Sequence, residues 1–151
     1  MRIFSDSSIG EGKGVMPLIT WKEDYSVNIN EIDRHHKRLI ELINRLHTGM
    51  ENEMKKKVLG DVLNELIAYT VYHFATEEKY FKRYNYPEYK GHRKEHEDLT
   101  EKAKELKYRL DKGENGVLSV EVMNFLKEWL NHHILQVDQK FGPFLNEKGL
   151  K

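Results

Sequence analysis

The chain has 151 residues, with 25 Lys or Arg balanced by 25 Asp or Glu, so its formal net charge is zero. That length fits one domain with a real core, and the charge balance argues against nucleic acid as a partner, because phosphate-binding surfaces carry a basic excess. No cysteine is present, which excludes disulfides, thiolate chemistry, iron–sulfur clusters and cysteine-type zinc sites.

Residues 1–16, MRIFSDSSIGEGKGVM, have no apolar core of a secretory signal. They are read as a flexible extension, with Met16 an alternative first residue, and residues 17–151 as the folded domain. No stretch approaches the roughly 18 apolar residues of a membrane span. The expectation is a cytoplasmic protein with no membrane partner.

The first predicted helix runs from Asn30 to about Asn52, with Ile32, Leu39, Ile40, Ile43, Leu46 and Met50 on one face. Asn30 is its candidate N-cap, and Glu31 and Asp33 suit the positive end of the helix dipole. The run GMENEMKKK has no apolar stripe and reads as a turn. The second helix is expected over Lys56–Tyr84, with the stripe Val62, Leu66, Thr70, Phe81 and Tyr84. Asn85-Tyr86-Pro87 ends it, since Pro87 disfavours helix at Tyr86.

A third helix is expected from Glu88 to Asp111, with Leu99, Ala103, Leu106 and Leu110 inward, before the stop Lys112-Gly113-Glu114-Asn115-Gly116. The fourth is expected after Ser119 as N-cap, with Val122, Leu126, Trp129, Leu130, Val137 and Phe141 inward and Gly142-Pro143 as its end. Each proline, at 17, 87 and 143, then falls outside a helix interior. No segment alternates with period two. The fold class is all-α, an up-down-up-down four-helix bundle.

The stripes have gaps, and the gaps carry the chemistry. Position 36 lies on the first stripe and is His36. Positions 73 and 77 on the second are His73 and Glu77. Stepping back along the third gives His96 and His92, and the gap in the fourth is His133. A lone buried histidine is usually satisfied by a backbone carbonyl, but the same substitution occurs on all four helices. Burying a carboxylate and several imidazoles without partners costs kilocalories each, so a shared metal at the bundle centre explains them together. His73–Glu77 and His92–His96 are both four apart, which puts each pair one turn apart on one face.

The doublets resolve by rotation. His35 lies about 100° from His36, and His132 likewise from His133. His35, His132 and His47 are read as flank or surface residues, with His35 able to donate a hydrogen bond near the site. Asp138 follows His133 by five residues, about 140° around an α-helix. Either Asp138 bends in from the side, or a local widening of the helix realigns it, or it is a surface aspartate. The cluster Tyr80, Tyr84, Tyr86 and Tyr89 is read as packing rather than an interface.

These residues resemble the hemerythrin family, especially its single-domain bacterial members. The matching segments are Ile32-Asp33-Arg34-His35-His36-Lys37-Arg38-Leu39, His73-Phe74-Ala75-Thr76-Glu77-Glu78, His92-Arg93-Lys94-Glu95-His96 and Trp129-Leu130-Asn131-His132-His133-Ile134 with Asp138. Trp21 fits an N-terminal arm. His35 departs from the pattern, which often has Gln or Glu there. The resemblance implies a non-haem di-iron centre and makes Asp138 a ligand. His92, His96 and His133 would hold one iron, and His36 and His73 the other, with one position open. Glu77, Asp138 and a solvent-derived oxo or hydroxo group would bridge the pair.

The implied function is reversible binding of dioxygen for transport, storage or delivery to an oxygen-using enzyme, not catalysis. Phe74, Phe81, Leu99, Trp129 and Ile134 are candidate walls of a dry pocket, each also readable as ordinary core. The alternative is a di-iron redox enzyme, or an oxygen- or iron-sensing module, on the same fold. Ferritin-like oxidases use paired Glu-x-x-His motifs and more carboxylates, and this histidine-rich set departs from them. A plain helical interaction module would leave the buried polar groups unexplained.

Overall fold

The computed structural model describes residues 18–51, 56–113 and 117–151. The flexible extension expected over residues 1–16 lies outside that range. Four rods of helix make the body. They are α1 (Asn30–Glu51), α2 (Lys56–Arg83), α3 (Tyr89–Asp111) and a fourth made of α4 (Val117–Trp129), a wide π-helical turn (Leu130–Val137) and α5 (Asp138–Glu147). Contacts run α1 to α2, α2 to α3, α3 to α4 and α4 back to α1. This is the expected four-helix bundle, and no strand occurs among the described residues. No described helix is long and apolar enough to cross a membrane.

An arm precedes α1. Asn44 holds Ile19 by both of its backbone groups, accepting from the N–H at 3.0 Å and donating to the carbonyl at 2.8 Å. Farther on, Gln139 and Asn146 donate to the carbonyls of Tyr25 and Asn28. Helix α1 starts one residue away from the expected cap: the Ile29 carbonyl accepts the Asp33 N–H at 2.9 Å, so Asn30 is the first helical residue. The Asp33 carboxylate instead turns back to the Val27 N–H at 2.9 Å and to the Ser26 hydroxyl. The arm is thereby fastened to the positive end of the helix.

Helix α2 ends as expected. Asn85 takes a φ of 54°, and the Tyr86 N–H reaches back to the Phe81 carbonyl at 2.9 Å, a Schellman closure. Residues 52–55 and 114–116 of the two expected turns lie outside the described range. The fourth rod corrects two boundaries. It begins at Val117, ahead of Ser119, because a serine in a first helical turn is compatible with helix and need not be its cap. It also continues through Gly142-Pro143 to Glu147, so Pro143 lies inside α5. The pair marks a close approach instead of a stop. A Cβ on Gly142 would stand 2.9 Å from the Val27 carbonyl oxygen, and fully buried Phe141 and Leu145 anchor the helix on either side. Gly149, at φ 96°, closes the helix beyond.

The interior has two apolar clusters with a polar layer between them. One gathers Leu39, Ile43, Leu66, Phe74, Leu106, Leu126, Trp129 and Ile134. The other gathers Val27, Ile29, Ile32, Phe81, Tyr86, Phe141 and Leu145, with Tyr80, Tyr84 and Tyr89 packed against it. The tyrosines pack, as expected. Burial of the clusters excludes water from the layer they enclose, and that layer holds the histidines.

Candidate metal centre

Each rod delivers its gap residues to this one layer: His36 from α1, His73 and Glu77 from α2, His92 and His96 from α3, and His133 and Asp138 from the fourth rod. All seven are buried, the most accessible being His92 at 4%. Their facing atoms form two overlapping groups, Glu77 with His92, His96 and His133, and His36, His73, Glu77 and Asp138.

The carboxylates span both groups. Glu77 Oε1 lies 3.0 Å from His96 Nε2 and 3.3 Å from His92 Nε2, while Oε2 lies 3.0 Å from His73 Nε2 and 3.7 Å from His36 Nε2. Asp138 Oδ1 lies 3.1 Å from both His92 Nε2 and His133 Nε2, and Oδ2 lies 2.9 Å from His36 Nε2. One oxygen of each carboxylate therefore faces each histidine group.

Short distances here do not mean mutual satisfaction. The Nε2 atoms of His36, His73, His92 and His133, with Glu77 Oε2 and both Asp138 oxygens, are buried and have no hydrogen-bond partner. Such orphaned groups are rare in a folded interior. Buried donor atoms that converge on common points and have no hydrogen-bond partner of their own are what a cation needs, and five imidazoles with two carboxylates suit a pair of divalent transition ions.

The far side of the imidazoles is held from behind. His96 Nδ1 meets Glu78 Oε2 at 2.8 Å, and His73 Nδ1 meets His35 Nδ1 at 3.0 Å. His133 Nδ1 is 3.8 Å from Glu95 Oε1, an ion-pair distance rather than a hydrogen bond. Glu95 also pairs with the exposed His132 at 2.9 Å. Such partners orient a ligand ring and set its basicity. Sequence reasoning did not find Glu78 and Glu95, since each depends on which helix lies opposite. Of the two places open to His35, flank or beside the site, it takes the second, next to His73. It is 2% exposed, not a surface residue, and is caged by Tyr69 and Tyr72. His132 is exposed as expected, and His47 is half-buried.

Asp138 reaches the site by the wide turn. The π-helical backbone over Leu130–Val137 absorbs the rotation that would otherwise separate it from His133. Such widenings cluster at functional sites.

Electrostatics follow from the geometry. Burial lowers the pKa of His36 and His92, but the Asp138 and Glu77 carboxylates overcome it and hold them at about 9 and about 10. Burial keeps His73 below the ordinary histidine value. For His35, burial and then the neighbouring His73 bring it to about 4. Burial and the Glu77 charge push Asp138 up, yet His133, His36 and His92 hold it at about 2. Glu77 is likewise well below the carboxylate range, with burial outweighed by the surrounding histidines.

Aromatic rings wall the layer. Phe74 stacks on His96 at 3.8 Å between centroids, Trp129 on His133 at 5.9 Å, and Phe81 meets His92 edge-on at 4.7 Å. Ile134 belongs to the apolar cluster, and Leu99 packs on its edge. Leu99, Thr70 and Trp129 also line a cavity of about 20 Å³.

Comparison with known proteins places this geometry. Residues 27–145 match the family model described as "Hemerythrin HHE cation binding domain". A bacteriohemerythrin of Stenotrophomonas maltophilia is 34% identical over 127 residues, covering 84% of this chain and 81% of that one. One from Methylococcus capsulatus is 32% identical over 136 residues, covering 87% and 99%. A crystal structure of wild-type hemerythrin superposes with a TM-score of 0.76 at 30% identity, covering 83% of this chain and 96% of that one.

Proposed function

The chain belongs to the hemerythrin family, and on that premise we propose that its central layer holds two iron ions and binds dioxygen reversibly. His92, His96 and His133 would hold one iron, and His36 and His73 the other. Glu77 and Asp138 would bridge them, with a solvent-derived oxo or hydroxo group as third bridge. Residues 17–151 are the unit that does this.

The observation that carries the reading is the way both carboxylates divide their oxygens between the two histidine groups. Two monodentate faces on each carboxylate suit a pair of ions better than one. Imidazole alone does not choose among iron, zinc, copper and nickel, so iron rests on family membership and the carboxylate bridges. When bound, the iron pair supplies a coordination position for dioxygen and the electrons that pass to it reversibly.

The protein's own residues do the rest. Glu78 and His35 orient His96 and His73 from behind. Phe74, Phe81 and Trp129 keep water from the layer, which protects a reversible exchange from displacement by water and anions. We read a carrier or storage protein, located in the cytoplasm, rather than an enzyme, and an oxygen-using enzyme is a candidate recipient.

The test is one sample studied twice. Reduced protein is analysed for iron and its absorption recorded, then recorded again in air and after evacuation. Two irons per chain and a spectrum that appears in air and disappears under vacuum are expected. One-way oxidation with turnover would overturn the carrier in favour of a redox enzyme.

A further inference from the structure

We infer that His35 is a positioning residue for His73 and makes the His36–His73 half of the site the weaker of two ion positions. The inference rests on the two-ion reading above and assigns a role within it. It begins with one hydrogen. His35 Nδ1 and His73 Nδ1 are 3.0 Å apart in a buried setting, and only one of the two nitrogens carries the proton between them.

His73 decides which. Its Nε2 stands 3.0 Å from Glu77 Oε2 and is among the orphaned inward atoms, so its lone pair belongs to the ion. A neutral imidazole with its lone pair on Nε2 carries its hydrogen on Nδ1. His73 therefore donates, and His35 accepts on Nδ1. The Tyr69 and Tyr72 rings, at 5.7 and 5.0 Å between centroids, hold His35 in that orientation.

The other half is backed differently. Behind His96 stands the Glu78 carboxylate at 2.8 Å, and Glu95 lies 3.8 Å behind His133. A carboxylate behind an imidazole raises its basicity and its hold on a cation. A neutral imidazole behind His73 fixes the tautomer but adds no charge. One half thus has three imidazoles, with a carboxylate hydrogen-bonded behind His96 and a second at ion-pair distance behind His133. The other has two imidazoles, with a neutral ring behind one. Ions are expected to load in that order.

Cobalt(II) alone, titrated into the ion-free full chain and followed by calorimetry and visible absorption, tests this. The wild type is expected to take two ions in two steps. His35→Leu should weaken the second step by about 10- to 100-fold and leave the first in place. His35→Gln, which keeps a side-chain oxygen as acceptor, should restore it, and His35→Glu should strengthen it beyond the wild type. The last two variants carry the test if the leucine variant does not fold. Equal weakening of both steps, or an unchanged second step in every variant, overturns the role of His35. A wild type that binds fewer than two cobalt ions overturns the two-ion reading itself, and this inference with it.

Discussion

Glu77 is the residue on which both histidine groups depend. One of its oxygens faces His96 and His92 and the other faces His73 and His36. Glu77→Gln is therefore expected to reduce metal content at both positions, whereas His73→Ala should lose one ion and keep the other. Metal analysis of the two purified variants separates these outcomes, and retention of both ions in His73→Ala would contradict the assignment. Protonation adds a second check. His36 and His92 are held at about 9 and about 10 by buried carboxylates. A raised histidine contributes stability fully present below its unfolded value near 6.5, and that stability is lost as pH rises through about 9 to 10. Ion uptake must expel the same protons. Between about pH 6.5 and 9 the melting temperature of the ion-free chain should fall while cobalt affinity rises. Parallel slopes would mean that these histidines do not carry the protons.

At the scale of elements, the fourth rod does the most specialised work. An α-helix would turn Asp138 about 140° from His133, and the wide turn over Leu130–Val137 brings both into the layer. Beyond it, α5 presses against the arm at Gly142, where a methyl group would meet the Val27 carbonyl oxygen at 2.9 Å. Backbone cannot yield as a side-chain tip can. Gly142→Ala is expected to cost about 1–3 kcal/mol, the range for forcing extra volume into a packed contact. Thermal unfolding should register this as a drop of about 2–4 °C per kcal/mol for a chain of this size. An unchanged melt would show that the arm is looser than its hydrogen bonds to Asp33, Gln139 and Asn146 indicate.

For the whole molecule, the polar layer is a weakness that ions convert to strength. Seven buried His, Glu and Asp side chains separate two apolar clusters, and most of their inward atoms have no partner within the protein. An ion that binds only the folded state stabilises it by about 2.7 kcal/mol when its free concentration is 100 times its Kd. Chelation is thus expected to lower the melting temperature by several degrees, with reloading restoring it. A melt indifferent to chelator would count against every metal-based reading. No disulfide shares the task of holding the rods together, since the chain has no cysteine.

The helices, their order and six of the seven residues of the buried polar layer were legible in the sequence, because amphipathic helices announce their buried face. His36, His73, Glu77, His92, His96 and His133 each interrupt an apolar stripe, and all lie in one layer. Asp138 could not be found from α-helical periodicity, because the π-helical turn changes that period. Gly142-Pro143 misled for a related reason: local preference marks a break, but packing of Phe141 and Leu145 carries the helix through. His35 stayed undecided between flank and site because rotation on its own helix says nothing of what the next helix brings. Tertiary structure alone set Tyr69, Tyr72 and His73 around it, and set Glu78 behind His96. Which residues face inward is a property of one helix and can be read from its sequence. Which atoms meet there depends on how the helices pack against one another.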